Sequence, residues 1–234
     1  MRFAPAVGKI TPMTPTEWIW AADKLSTKQK LAAIDKLHYY ERMPRAAWSQ
    51  TSAFVKREIC RLKASCLFHF HVTNVPRIIQ ACTFYAKLYL GACCKPFSEA
   101  LRREWHCKNK VFYCCGYSQP QLGDVFMQNI EEGYCHTAMG DGNRFDVHVD
   151  CEAIKVEIEI CRRAGFTARA MEVLMSQLQT NGTTANGIRY RVKGTRKSGD
   201  PNTTCGNSLM LGLMIQHATE LAGITDYRAW IYGD

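Results

Sequence analysis

The stretch KGTRKSGDPNTTCGNSLMLGLMIQHATELAG, residues 193–223, begins as a basic, glycine-bearing loop and ends as an apolar helix. Lys193, Arg196 and Lys197 come first, then Ser198-Gly199-Asp200. Thr203 and Asn207 follow four residues apart, hence on one helical face. Asp200 is expected to cap the helix with Pro201 at its first position, and Gly223 to close it. A loop of this make-up suits an anionic, sugar-bearing ligand. Asn offers a donor and an acceptor and the Ser198 hydroxyl either, so with Asp146 as a third partner the group can read a ribose 2′-OH. Helix capping is the plainer reading, and it explains Asp200 well. It does not explain Asn207, which lies inside the helix, where asparagine is mildly unfavourable.

Three carboxylates stand at the expected ends of elements. In MGDGNRFDVHV, Asp141 follows an expected strand (YCHTAM) and a glycine, and Asp146 comes five residues later. In AWIYGD, Asp234 again follows a strand and a glycine. Two adjacent strands of one sheet would set Asp141 and Asp234 side by side, and paired carboxylates suit hard divalent cations and phosphates. Either Gly-Asp alone reads equally well as turn chemistry.

Around these landmarks the pattern is mixed. Ser26 with Gln29 forms a capping box before a helix over 27–41, which Pro44 ends. Residues 53–59 and 67–73 look like strands. FYAKLYLGACC is a helical candidate that Pro96 interrupts, and 97–106 is again helical. VFYCCGY is a strand and 124–132 a short helix. Val149, Ala153, Val156 and Ile160 recur at helical spacing, with Gly165 as C-cap. A helix over 167–179, the strand GIRYRV and a closing strand YRAWIYGD complete an α+β order.

The chain of 234 residues is 47% hydrophobic, enough for one large domain or two small ones. Lysine and arginine outnumber carboxylates 30 to 21, a formal charge of +9 that favours polyanionic partners. Its 12 cysteines fall as adjacent pairs and singles, not as a disulfide framework, which suggests a reduced, cytosolic protein with buried free thiols. Cys60, Cys66, His69 and His71 are of zinc-ligand type, but their spacing is poor, and LFHFHV reads more simply as a strand. No apolar signal core opens the chain, and no run approaches the ~18 residues needed to cross a bilayer.

Taken in order, DGNRFD (141–146), SGDPNTTCGN (198–207) and YGD (232–234) resemble motifs A, B and the start of C of the RNA-dependent RNA polymerases of positive-strand RNA viruses. The middle stretch fits S-G-x3-T-x3-N throughout. Upstream, AFVKREI (53–59) and PRIIQACTFYAKLYLGACCKP (76–96) resemble the basic fingers segment, motif F, and its continuation. The closest flavour is tombusvirus-like and noda-like, and the resemblance covers roughly residues 53–234.

The resemblance implies a right-hand polymerase fold, with fingers plus an incomplete palm and no thumb. Residues 1–133 would form the N-terminal region and fingers, and 134–234 the palm core, with a finger insertion at about 165–192. It implies template-directed RNA synthesis by two metal ions, Mg²⁺ or Mn²⁺, on Asp141 and Asp234. Asp146, Ser198 and Asn207 would select ribose, Thr203 would support them, and Gly199 would let the loop move. Lys56 and Arg77 would meet the triphosphate with Glu58 orienting the basic groups, and Arg196 would face the RNA backbone. The partners implied are RNA template and product, NTPs and a viral auxiliary replication protein, in membrane-associated complexes of the host cytoplasm.

Two departures stand out. Ala81-Cys82 replaces the Pro-Arg usual after PRIIQ. The sequence also stops within motif C, so a partial polymerase without activity of its own is expected. Two rival readings remain. One is a basic RNA-binding module stacking bases on Phe68, Phe70, Phe84 and Tyr85; the other is a reverse transcriptase, against which the polar Asp146 and Asn207 argue.

Overall fold

The computed structural model describes residues 4–23, 25–44, 50–56, 78–134, 136–142 and 144–233. The chain opens with three short helices, α1 (Pro15–Trp20), α2 (Thr27–Asp35) and α3 (Leu37–Glu41). The Ser26–Gln29 capping box forms as expected, but the helix breaks at Lys36 instead of running through to 41. Strands β1 (Gln50–Val55) and β2 (Ile78–Cys82) follow.

Helix α4, Phe84–Glu104, is the spine of the core. Contrary to the sequence expectation, Pro96 does not interrupt it. Proline cannot donate to the carbonyl four residues back, which orphans the Ala92 oxygen. The N-terminal arm supplies the missing donor, the Met13 N–H bonding Ala92 O at 3.0 Å. The same arm donates from Ile10 N to Ala164 O at 2.8 Å, so it straps two helices together.

The chain continues through β3 (Val111–Tyr113), α5 (Gln119–Glu131), α6 (Phe145–His148), α7 (Cys151–Arg163) and α8 (Ala168–Ser176). It ends with β4 (Gln179–Thr184), β5 (Arg189–Lys193), α9 (Thr203–Leu221) and β6 (Ala229–Ile231). Helix α8 stops at Ser176, and the residues after it form a strand that the sequence pattern did not show. QTNGTT is polar on both faces, so it carries no hydrophobic alternation. The strand expected at YCHTAM is not formed: residues 136–142 have no regular secondary structure, and Cys135 lies outside the described residues.

Among the described residues the strands make two sheets, ordered β2-β1-β4-β5 and β3-β6. β1 pairs antiparallel with β2 and parallel with β4, from Gln50↔Asn181 to Ala53↔Thr184. β4 and β5 form a hairpin. The larger sheet therefore joins the early strands to the hairpin at 179–193. β3 pairs parallel with β6, placing Tyr113 beside Ile231. Tyr85, Leu88, Phe97 and Leu101 of α4 pack with Ala170, Val173 and Leu174 of α8 and Leu209 of α9 in one core. Gly212 lets α9 press against Trp105, whose ring a methyl at that position would strike. The mixed α+β class is as expected.

Candidate functional site

The site is built around the first turns of α9. Gly194 and Thr195 both take left-handed backbone, φ 65° and 67°, and turn the chain inward after β5. The turn is held by Thr195 N–H on Val149 O at 2.7 Å and by Arg196 N–H on Asp146 O at 2.8 Å. The Arg196 side chain is thereby delivered into the interior, where it is 1% exposed.

Its guanidinium meets two partners there. Nη2 donates to Glu157 Oε2 at 2.6 Å, and Nε donates to Asn207 Oδ1 at 2.9 Å. Asn207 in turn donates through Nδ2 to Asp146 Oδ1 at 2.8 Å. The second Glu157 oxygen accepts from Asn202 Nδ2 at 2.8 Å. Gln177 bridges onward, Nε2 donating to Asp200 Oδ2 at 2.6 Å and to Asn202 Oδ1 at 3.0 Å. Asp200 completes the chain by pairing with the buried Lys197 ammonium at 3.2 Å. The Glu157 charge holds the Arg196 guanidinium more firmly protonated than usual against the opposing effect of burial.

This network corrects two expectations. Arg196, expected at the RNA backbone, is turned inward, because the buried Glu157 carboxylate needs a counter-charge. Asp200 does not cap α9, which begins at Thr203 behind Asn202. Its carboxylate is drawn instead to Lys197, another charge that burial makes costly to leave alone.

The remaining loop residues are each fastened. The Thr203 hydroxyl is shared between the carbonyls of Lys197 and Asp200, at 2.7 and 2.9 Å, closing the loop. Ser198 Oγ accepts from Gln80 N–H at 3.4 Å, and Gly199 N–H donates to Gln80 O at 2.9 Å. Gly199 thus lies against the backbone of β2; a methyl there would sit 2.5 Å from Gln80 O. The close approach by itself requires glycine.

The end of β6 reaches the same helix, Gly233 N–H donating to Ser208 Oγ at 2.8 Å beside Asn207. Asp146, Asn207 and Gly233, remote in sequence, therefore converge on α9. Asp141 is exposed, in the irregular segment before α6. Lys56 is partly buried at the end of β1. Asp234, Glu58 and Arg77 lie outside the described residues, as do Cys60, Cys66, His69, His71, Phe68 and Phe70. Tyr85 is 1% exposed in the core, and Phe84 packs on Trp18 and Tyr40, so neither is a stacking platform.

Glu157, Asn202 and Gln177 were not singled out from the sequence. A signal for Glu157 was present: it shares a helical stripe with Ile154 and Cys161, all three buried. A carboxylate on an apolar stripe announces a buried partner.

The family model described as viral RNA dependent RNA polymerase matches residues 4–234. The chain belongs to this family. The chain is 27% identical over 213 residues to the RNA-directed RNA polymerase of Tobacco necrosis virus (strain A), covering 88% of this chain and 28% of that protein. It is 29% identical over 187 residues to that of Turnip crinkle virus, covering 76% and 23%. With that of Oat chlorotic stunt virus it shares 32% over 156 residues, covering 60% and 20%. The chain thus spans about a quarter of the length of these relatives.

Proposed function

We propose that this chain is the fingers and palm portion of a right-hand polymerase that joins NTPs to an RNA 3′-OH under the direction of an RNA template. The observation that carries the reading is the Asp146–Asn207 hydrogen bond, made on the helix that also holds the end of β6. It brings together an acceptor and an amide suited to a ribose hydroxyl, beside the segment that leads to Asp234. The four-stranded sheet, with its basic edge strand β5, is the fingers in this reading. Residues 134–164 and 194–234 form the palm.

Asp141 and Asp234 would hold Mg²⁺ or Mn²⁺, since carboxylate oxygens are the donors hard cations prefer. Asp141 fits that role in being exposed, before the short helix α6 that carries Asp146. Among the described residues no three His, Cys, Asp or Glu groups gather as a metal cluster. Such ions lower the barrier by stabilising charge on the phosphates. The chain's own part is to orient the sugar: Asp146 accepts from its hydroxyl, the Asn207 amide is fixed behind it, and the Ser198–Gly199 loop stays fastened to Gln80 of β2. Lys56 and Arg77 would meet the triphosphate. The partners of this reading are RNA, NTPs and a viral auxiliary protein, in membrane-associated complexes of the host cytoplasm. No described helix is long and apolar enough to cross a membrane by itself.

The test is RNA-templated incorporation by a polymerase of the relatives' length that carries this segment. Asp141→Asn is expected to abolish nucleotide addition while RNA affinity holds within about twofold. Undiminished synthesis by that variant would remove the enzyme reading.

A further inference from the structure

We infer that Glu157 and Arg196 are positioning residues that set ribose discrimination by fixing which way the Asn207 amide points. The inference rests on the ribose-selecting role proposed for Asp146 and Asn207. An asparagine amide has two nearly isosteric ends, one that donates and one that accepts, and turning it over would set its oxygen against the Asp146 carboxylate, the group proposed to accept from the ribose. Here the surroundings leave one orientation. Arginine has donors only, so its Nε, 2.9 Å away, requires the oxygen end of Asn207. An ionised carboxylate accepts only, so Asp146 Oδ1, 2.8 Å away, requires the nitrogen end. Asn207 is 1% exposed, and water does not compete for these bonds.

Arg196 can impose this only while its own fork is held. Glu157 Oε2 binds Nη2 at 2.6 Å, and the Arg196 main chain is tied to Asp146 O at 2.8 Å. The guanidinium is thus held at one end by α7 and aims Nε at Asn207 with the other. A lysine in its place keeps the charge, but a single ammonium on a flexible stem cannot reproduce the planar fork. The geometry also explains why this basic residue is withheld from RNA.

The experiment compares kcat/KM for ribo- and 2′-deoxyribonucleotide in a full-length polymerase carrying this segment, with melting temperature measured alongside. Arg196→Lys and Glu157→Gln are expected to raise KM for the ribonucleotide and leave the deoxynucleotide parameters nearly unmoved. Discrimination should fall about tenfold, the worth of one charge-assisted hydrogen bond. Glu157→Gln keeps the size and an acceptor, so it serves if Arg196→Lys does not fold. Glu157→Asp, which retains the charge, is expected to recover part of the loss. If both nucleotides lose activity in proportion to lost stability and the ratio stays put, the pair is merely structural and the inference is overturned. Asn207→Ala separates the two levels. Should it shift the ratio while Arg196→Lys and Glu157→Gln do not, only the positioning role is lost. Should it leave the ratio unchanged, the ribose-selecting reading falls as well.

Discussion

Arg196 lies in a loop that is basic from Lys193 to Lys197, yet it and Lys197 are buried while Lys193 is exposed. Charge alone gives three similar lysines and arginines, and only the partners distinguish them. Arg196→Ala leaves Glu157 as a buried, uncompensated carboxylate. It is expected to lower unfolding free energy by about 3–5 kcal/mol, read from urea denaturation. Glu157→Gln keeps the shape but leaves the Arg196 guanidinium as the uncompensated buried charge, so it should cost a similar amount, about 3–5 kcal/mol. The legible part of the site was the set whose spacing carries meaning: Asp146, Ser198, Thr203 and Asn207. Glu157 lay hidden because its partner is 39 residues away, a separation that no helical period expresses.

At the scale of elements, local chemistry was read well where both partners are local. The Ser26–Gln29 box formed, and Gly165 and Gly223 adopt the left-handed backbone, φ 86° and 69°, of helix ends. One error came where a distant segment intervened. Pro96 would end an isolated helix, but the Met13 N–H takes the carbonyl that proline strands. Met13→Pro is therefore expected to cost about 1–3 kcal/mol by leaving Ala92 O unbonded. In a Pro96→Ala background the helix supplies its own N–H to Ala92 O, and the same substitution should cost markedly less. The coupling in this double-mutant cycle, measured by chemical denaturation, reads the hydrogen bond free of any strain that proline brings to position 13. The strand β4 was missed for a related reason: its polar sequence is held by neighbours on both sides rather than by a hydrophobic face.

For the whole molecule, the described cysteines are free, and most are buried. Burial pushes the Cys114 thiol up to about 12 from its ordinary 9.0, and raises Cys94 and Cys161 as well. A thiol is neutral when protonated, so the fold favours the protonated form. In the unfolded chain these thiols ionise first. The stability they contribute is intact below about pH 9 and is lost as pH rises towards 12. Melting temperature should fall steadily over that window. Iodoacetamide at pH 8, followed by mass spectrometry, should label Cys107, Cys115 and Cys151, which are partly exposed, well before Cys94, Cys114 and Cys161. The pairing of β1 with β4 has a genetic consequence. A crossover between two related genomes anywhere from codon 83 to codon 178 would inherit the two halves of one sheet from different parents. Offspring would survive only where both lineages kept the same register along the seam from residue 50 to residue 53, so viable breakpoints should cluster outside that interval.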